Sequence, residues 1–186
     1  MKITNQIYVI EREQWREWLT INHDLETEVW LILPKKSSGK PRLSYNDSVE
    51  EALCFGWIDS IVKRLDENNN AQRFTPKRPG STYSQTNKER WRLLIKQDKG
   101  NPTILQSIES ILKEEFVYPK DIIEALKSDQ DTWENFTKFS EPYKRIRVAY
   151  VNTARKRPDE FKKRLSNLIK KTSQNKQFGY DLKKFY

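Results

Sequence analysis

The sequence predicts an α+β fold, with a small, mainly antiparallel sheet and its helices in residues 1–118 and a bundle-like helical region with a basic tail in residues 119–186. Three observations predict it. The first half holds short apolar and β-branched runs bounded by turn residues. The second half holds only apolar stripes at helical spacing. Proline and glycine punctuate almost every segment. At 186 residues the chain is one domain, or one with a small appended subdomain. The seam is expected at Tyr118-Pro119, where the proline forces the preceding residue out of helical space.

Trp15, Trp18 and Leu19 lie at i, i+3 and i+4 and define a short first helix over Glu11 to Thr20. Val29-Trp30-Leu31-Ile32-Leu33 is a continuous apolar run ended by Pro34, too short for a good helix, and reads as a buried strand. Lys35 to Pro41 reads as a mobile polar loop, since it lacks the glycine and lysine spacing of a phosphate-binding loop. Ser44 and Asp47 have capping-box spacing for a helix with Val49, Ala52 and Leu53 inward, which Gly56 terminates. Ile58 to Leu65 and Ala71 to Thr75 form a hairpin around Asn68-Asn69-Asn70, with imperfect alternation. Ser84 caps a helix carrying Trp91, Leu94 and Ile95. Asn101-Pro102 starts one carrying Ile104, Leu105, Ile108, Ile111 and Leu112. Pro119 opens a helix with Ile122, Ile123 and Leu126 inward, and Trp133, Phe136 and Phe139 mark the next. Ser140-Glu141-Pro142 begins a helix with Tyr143, Ile146, Tyr150 and Ala154 on one face. Pro158 begins the last, where Phe161, Leu165, Leu168 and Ile169 oppose Lys162, Lys163 and Lys170.

The net charge is +9, and its placement matters more than its size. Residues 155–186 carry eleven Lys or Arg against three acids, while residues 1–154 carry 24 against 23. The stretch from Arg155 to Lys184 is therefore a candidate surface for nucleic acid or anionic lipid, or simply a solvated helix face that aids solubility. No apolar run approaches the roughly 20 residues that cross a bilayer, and the first residues lack an apolar leader, so the expected location is cytoplasmic. The single cysteine, Cys54, reads as a small buried hydrophobe. The single histidine, His23, reads as structural at a helix end. No catalytic constellation, metal-ligand set or cofactor motif is recognisable, which leaves enzymatic activity undecided.

The densest polar stretch runs through Trp57, Asp59, Ser60, Arg64, Arg73, Thr75, Lys77, Arg78, Ser84, Asn87 and Arg90. Gathered on one surface, these residues suit a polar or anionic ligand, because arginine binds carboxylate or phosphate bidentately and helix N-terminal amides add positive potential. Trp57 then forms one wall of the cleft. An Asp59–arginine ion pair that fastens the hairpin to the next helix accounts for the same residues equally well.

Glu50-Glu51-Ala52-Leu53-Cys54-Phe55-Gly56-Trp57-Ile58-Asp59-Ser60, with Lys63-Arg64-Leu65-Asp66 and Gln72-Arg73-Phe74-Thr75-Pro76-Lys77-Arg78-Pro79-Gly80-Ser81, resembles the signature of the YdeI/OmpD-associated, bacteriocin-protection family. Val29-Trp30-Leu31, Lys35-Lys36, Ser84, Asn87, Lys88 and Arg90 extend it. The helices from Pro119 to Lys170, including Tyr143 and Arg155-Lys156-Arg157-Pro158, resemble that family's C-terminal region. The resemblance implies a bacterial protein of a bacteriocin-tolerance or envelope-stress pathway. It supplies no reaction, so the sequence reads as a non-enzymatic cytoplasmic binding protein with an unidentified ligand.

Overall fold

Residues 3–186 are described by a computed structural model of the chain. They fall into two compact units, Met1–Thr82 with Arg90–Leu112, and Tyr83–Glu89 with Lys113–Tyr186.

The first unit is built on a four-stranded mixed sheet in the order β1-β2-β4-β3. Its strands are β1 (Gln6–Ile7), β2 (Val29–Pro34), β3 (Trp57–Arg64) and β4 (Asn69–Pro76). β1 runs parallel to β2, and the other pairings are antiparallel. The apolar run of β2 lies between two neighbours, which is why it lacks polar alternation. The register of β3 on β4 shifts between Asp59 and Val62, leaving one extra residue on β3. That bulge is the reason the hairpin's alternation looks imperfect.

Helix α1 (Arg12–Asn22) packs on α2 (Tyr45–Cys54), and α2 on β3. Trp15 and Leu19 are fully buried as the spacing predicts. Ser44 caps α2, its Oγ accepting from the Asp47 amide at 3.0 Å. Gly56 ends the helix at φ +74°. A Cβ there would stand 3.0 Å from the Ile104 Cδ1, so conformation and space both favour glycine. The expected polar loop contains a short 3-10 turn at Lys36–Ser38.

Helix α3 (Gln85–Lys96) begins after Ser84, whose Oγ accepts from the Asn87 amide at 3.2 Å. It buries Trp91 and Leu94 but leaves Ile95 exposed, correcting its expected inward position. In α4 (Pro102–Lys113) only Ile108 is buried, while the other stripe residues are partly covered.

The second unit contains α5 (Lys120–Lys127), α6 (Gln130–Lys138), α7 (Glu141–Asn152) and α8 (Pro158–Ser173). α8 packs against the other three helices. Ile122, Leu126, Phe136, Tyr143, Ile146, Val148, Val151 and Leu168 form its core. Tyr150, expected inside, is exposed, and Arg147 is buried in the same helix. A C-terminal 3-10 segment, Tyr180–Phe185, adds Leu182 and Phe185 to this core. The observed fold is thus α+β with the helices C-terminal.

Candidate functional site

The sheet register decides how the hairpin residues face. Directly paired residues share a face, and Asp59 pairs with Phe74 while Trp57 pairs with Pro76. Phe74 also pairs with Val29, so this face is the one beneath α1. Trp15 lies 5.4 Å from the Phe74 ring and Trp18 lies 6.0 Å from the Trp57 ring. Trp57 is therefore core, 1% exposed, with its Nε1 donating to the His23 carbonyl at 3.0 Å. It does not wall a cleft.

Arg73 pairs with Trp30, and Thr75 with Ile58, on the opposite face. The Arg73 guanidinium donates to Glu28 at 2.6 and 2.7 Å. Glu28 also accepts from Thr4, and these two partners hold its carboxyl below the usual range. Asp59 accepts from the Tyr45 hydroxyl at 2.8 Å, and Arg90 lies 5.7 Å over the Tyr45 ring while donating to Asn46 at 2.9 Å. Asp59 and Arg90 thus both contact Tyr45.

The remaining expected residues disperse. Ser60, on the bulge, reaches the Arg73 carbonyl at 3.4 Å. Arg64 binds the Asp66 carbonyl at 3.1 Å, and Lys77 binds that of Ser81. Arg78 is exposed, with its carbonyl accepting from Ser81. Ser84 and Asn87 form the start of α3 and belong to the second unit. The expected residues thus lie on both faces of the hairpin and at the start of α3. A bulge and a two-faced strand separate groups that lie close in sequence.

Cys54 is buried, and burial, with Glu51 beside it, pushes its thiol up, which disfavours the reactive thiolate. His23 caps the end of α1, where its Nδ1 lies 2.9 Å from the Leu19 carbonyl. Glu51 joins Arg12 at 2.5 Å and Arg16 at 2.6 Å, tying α2 to α1. Among the described residues no cluster of three or more potential metal ligands occurs.

A recess lies in the second unit. A cavity of about 210 Å³ is lined by Tyr118, Ile123, Trp133, Phe136, Thr137, Glu141 and Lys144. Local signals place each group. Asp129 caps α6, accepting from the Thr132 amide at 2.7 Å, and so sets Trp133 and Phe136 one turn apart with their rings stacked at 5.8 Å. Ser140 caps α7, which puts Glu141 in the first turn and Lys144 one turn on.

At the polar end, the Lys144 Nζ lies 2.5 Å from the Glu141 Oε1, and the Tyr118 hydroxyl donates to the Glu141 Oε2 at 3.2 Å. The Lys144 bond holds the Glu141 carboxyl below its ordinary range. Burial, reinforced by Glu141, pushes the Tyr118 phenol up, so it remains a donor. Arg145 is taken up by Glu89, through bonds of 2.7 and 2.9 Å. The cavity therefore combines aromatic walls with a neutralised acid–base pair. Sequence reasoning did not find it, because Trp133 and Phe136 carry the signal of ordinary core residues.

The model of the family described as Domain of unknown function (DUF8412) matches residues 7–106, more than half of the chain. The chain belongs to this family. Residues 115–175 match the family described as Bacteriocin-protection, YdeI or OmpD-Associated, which bears out the recognition for the helical part of the chain. The Glu50 to Ser81 stretch lies within the DUF8412 match, and every cavity residue lies within the bacteriocin-protection match. Comparison with curated proteins and with solved structures gives no match. Among the described residues no helix is long and apolar enough to cross a membrane.

Proposed function

We propose that the protein is a non-enzymatic binding protein of bacteriocin protection, acting in the bacterial cytoplasm on a small ligand held by the helical unit. The observation that carries this reading is the 210 Å³ cavity, which lies wholly inside the segment matching the bacteriocin-protection family. Concave, mostly apolar sites with a few convergent polar groups are the usual form of a small-molecule site. Direct capture of a cationic peptide is disfavoured by charge, since residues 113–186 carry 18 Lys or Arg against 11 acids. The free, buried Cys54 accords with a reducing compartment.

The test uses a bacterial host lacking the protein, challenged with a cationic antimicrobial peptide. Wild-type protein is expected to restore growth. An Ile123→Trp variant, which fills the cavity, is expected to fail while retaining its helical circular dichroism. Full protection by that folded variant would overturn the reading.

A second reading, contact with nucleic acid or anionic lipid, is favoured by a basic depression of about 430 Å³ lined by Lys163, Arg164 and Lys170 with Tyr150 and Asn167. Part of this basic stretch is already engaged: Arg155 pairs with Asp121, and Arg164 with Glu160, both at 2.7 Å. Binding to duplex DNA or anionic vesicles should weaken steeply with salt if this surface acts.

A further inference from the structure

The cavity's polar end restricts what it can hold. Its carboxylate and ammonium, Glu141 and Lys144, are paired at 2.5 Å, and the adjacent Arg145 is paired with Glu89 while lying 3.8 Å from the Glu141 Oε2. An anionic ligand would meet Glu141, and a cationic one would meet Lys144. Either charge would meet a like charge about as close as its counter-charge, so the pair attracts neither. A neutral ligand meets no such repulsion.

The hydrogen-bonding inventory narrows the choice further. A carboxylate offers about four acceptor sites, and Glu141 has two hydrogen-bonded partners, Lys144 and Tyr118. A lysine ammonium carries three donors. The Thr137 hydroxyl donates to the Glu134 carbonyl at 2.8 Å and retains acceptor capacity. A single ligand hydroxyl satisfies both sides, donating to Glu141 while accepting from Lys144.

The walls supply the rest. Trp133, Phe136 and Ile123 line the apolar part, the two rings stacked on each other and the Lys127 Nζ 4.8 Å over that of Trp133. An apolar cavity of about 150 Å³ takes up benzene, so a recess of about 210 Å³ has room for one substituted ring. Aromatic rings gain further by edge-to-face or offset contact with such walls.

Resting on the reading of this cavity as the ligand site, we infer that its ligand is a neutral phenolic ring, the hydroxyl on the Glu141–Lys144 pair and the ring against Trp133 and Phe136. Either a free phenol or the tyrosyl side chain of a peptide supplies that chemistry.

The full-length protein is titrated with p-cresol, toluene, benzoate, benzylamine and acetyl-tyrosinamide, followed by calorimetry and by the indole N–H resonance of Trp133, assigned through Trp133→Phe. p-Cresol is expected to move that resonance and to bind about tenfold more tightly than toluene, the effect of one hydrogen bond to a charged group. Benzoate and benzylamine are expected to bind more weakly than p-cresol. Acetyl-tyrosinamide equal to p-cresol identifies a peptide source, and its exclusion identifies a free phenol. Glu141→Ala should bring p-cresol down to the level of toluene and leave toluene unchanged, which also shows that the variant keeps its fold. Equal binding of toluene and p-cresol, preference for either charged probe, or a Trp133 resonance unmoved by all five would overturn the inference. Failure of every probe while Ile123→Trp still abolishes protection removes the phenol and leaves the site. p-Cresol binding with full protection by Ile123→Trp removes the proposed function and leaves the phenol.

Discussion

The two units hold arginine in opposite ways. In the first, Arg12 and Arg16 share the Glu51 carboxylate, with Asp47 and Glu50 also on Arg12. In the second, Arg147 is 7% exposed and lies 3.6 Å from the Phe178 ring centroid and 4.8 Å from that of Tyr150. Its Nε has no hydrogen-bond partner among the described residues, and burial pulls its pKa down. The difference teaches that the partner decides what a guanidinium contributes. The first arrangement depends on a buried carboxylate, 3% exposed, whereas the second keeps a buried cation that an apolar side chain would replace at little loss.

Glu51→Ala should have the largest effect, a loss of about 3 kcal/mol, because it removes two charge-assisted bonds that tie α1 to α2. Urea unfolding followed by fluorescence measures it, and a loss below 1 kcal/mol would erase the contrast between the units. Phe178→Ala should lose about 2 kcal/mol, through the stacking contact and buried ring area. Arg147→Met should sharpen the comparison by changing sign, holding or raising the midpoint. A loss as large as that of Glu51→Ala would mean that Arg147 is stabilising as a charge.

The smallest effect concerns acid. Thr4 and Arg73 lower the folded-state pKa of Glu28. Its contribution is therefore fully present above the unfolded value of about 4.3 and is lost as pH falls through the lower folded value. Glu28→Gln should flatten the decline in melting temperature below about pH 4.5 and lower neutral stability by the small amount that this decline represents. An identical acid profile for variant and wild type would remove Glu28 from the account.

Local pattern was legible wherever one element decides its own fate. Caps at Ser44, Ser84 and Ser140 and the buried stripes of α1, α2 and α5 follow from spacing and hydrogen-bonding chemistry. Facing was not legible, because a single added residue in β3 changes the alternation without changing composition. The two-residue β1 is too short to carry a period. Arg147 and Tyr150 exchange their expected environments because stacking on aromatic rings can bury a cation. The cavity escaped for a related reason. Aromatic residues that leave a gap are indistinguishable in sequence from those that fill one.

Ser140 has a second role besides capping α7. Its hydroxyl also donates to the Phe185 carbonyl, in the 3-10 segment Tyr180–Phe185. Loosening of that short segment would free the hydroxyl that orders the start of a core helix. A substitution that unseats Phe185 would therefore be felt in the backbone exchange of the first turn of α7, far away along the chain though adjacent through this one oxygen.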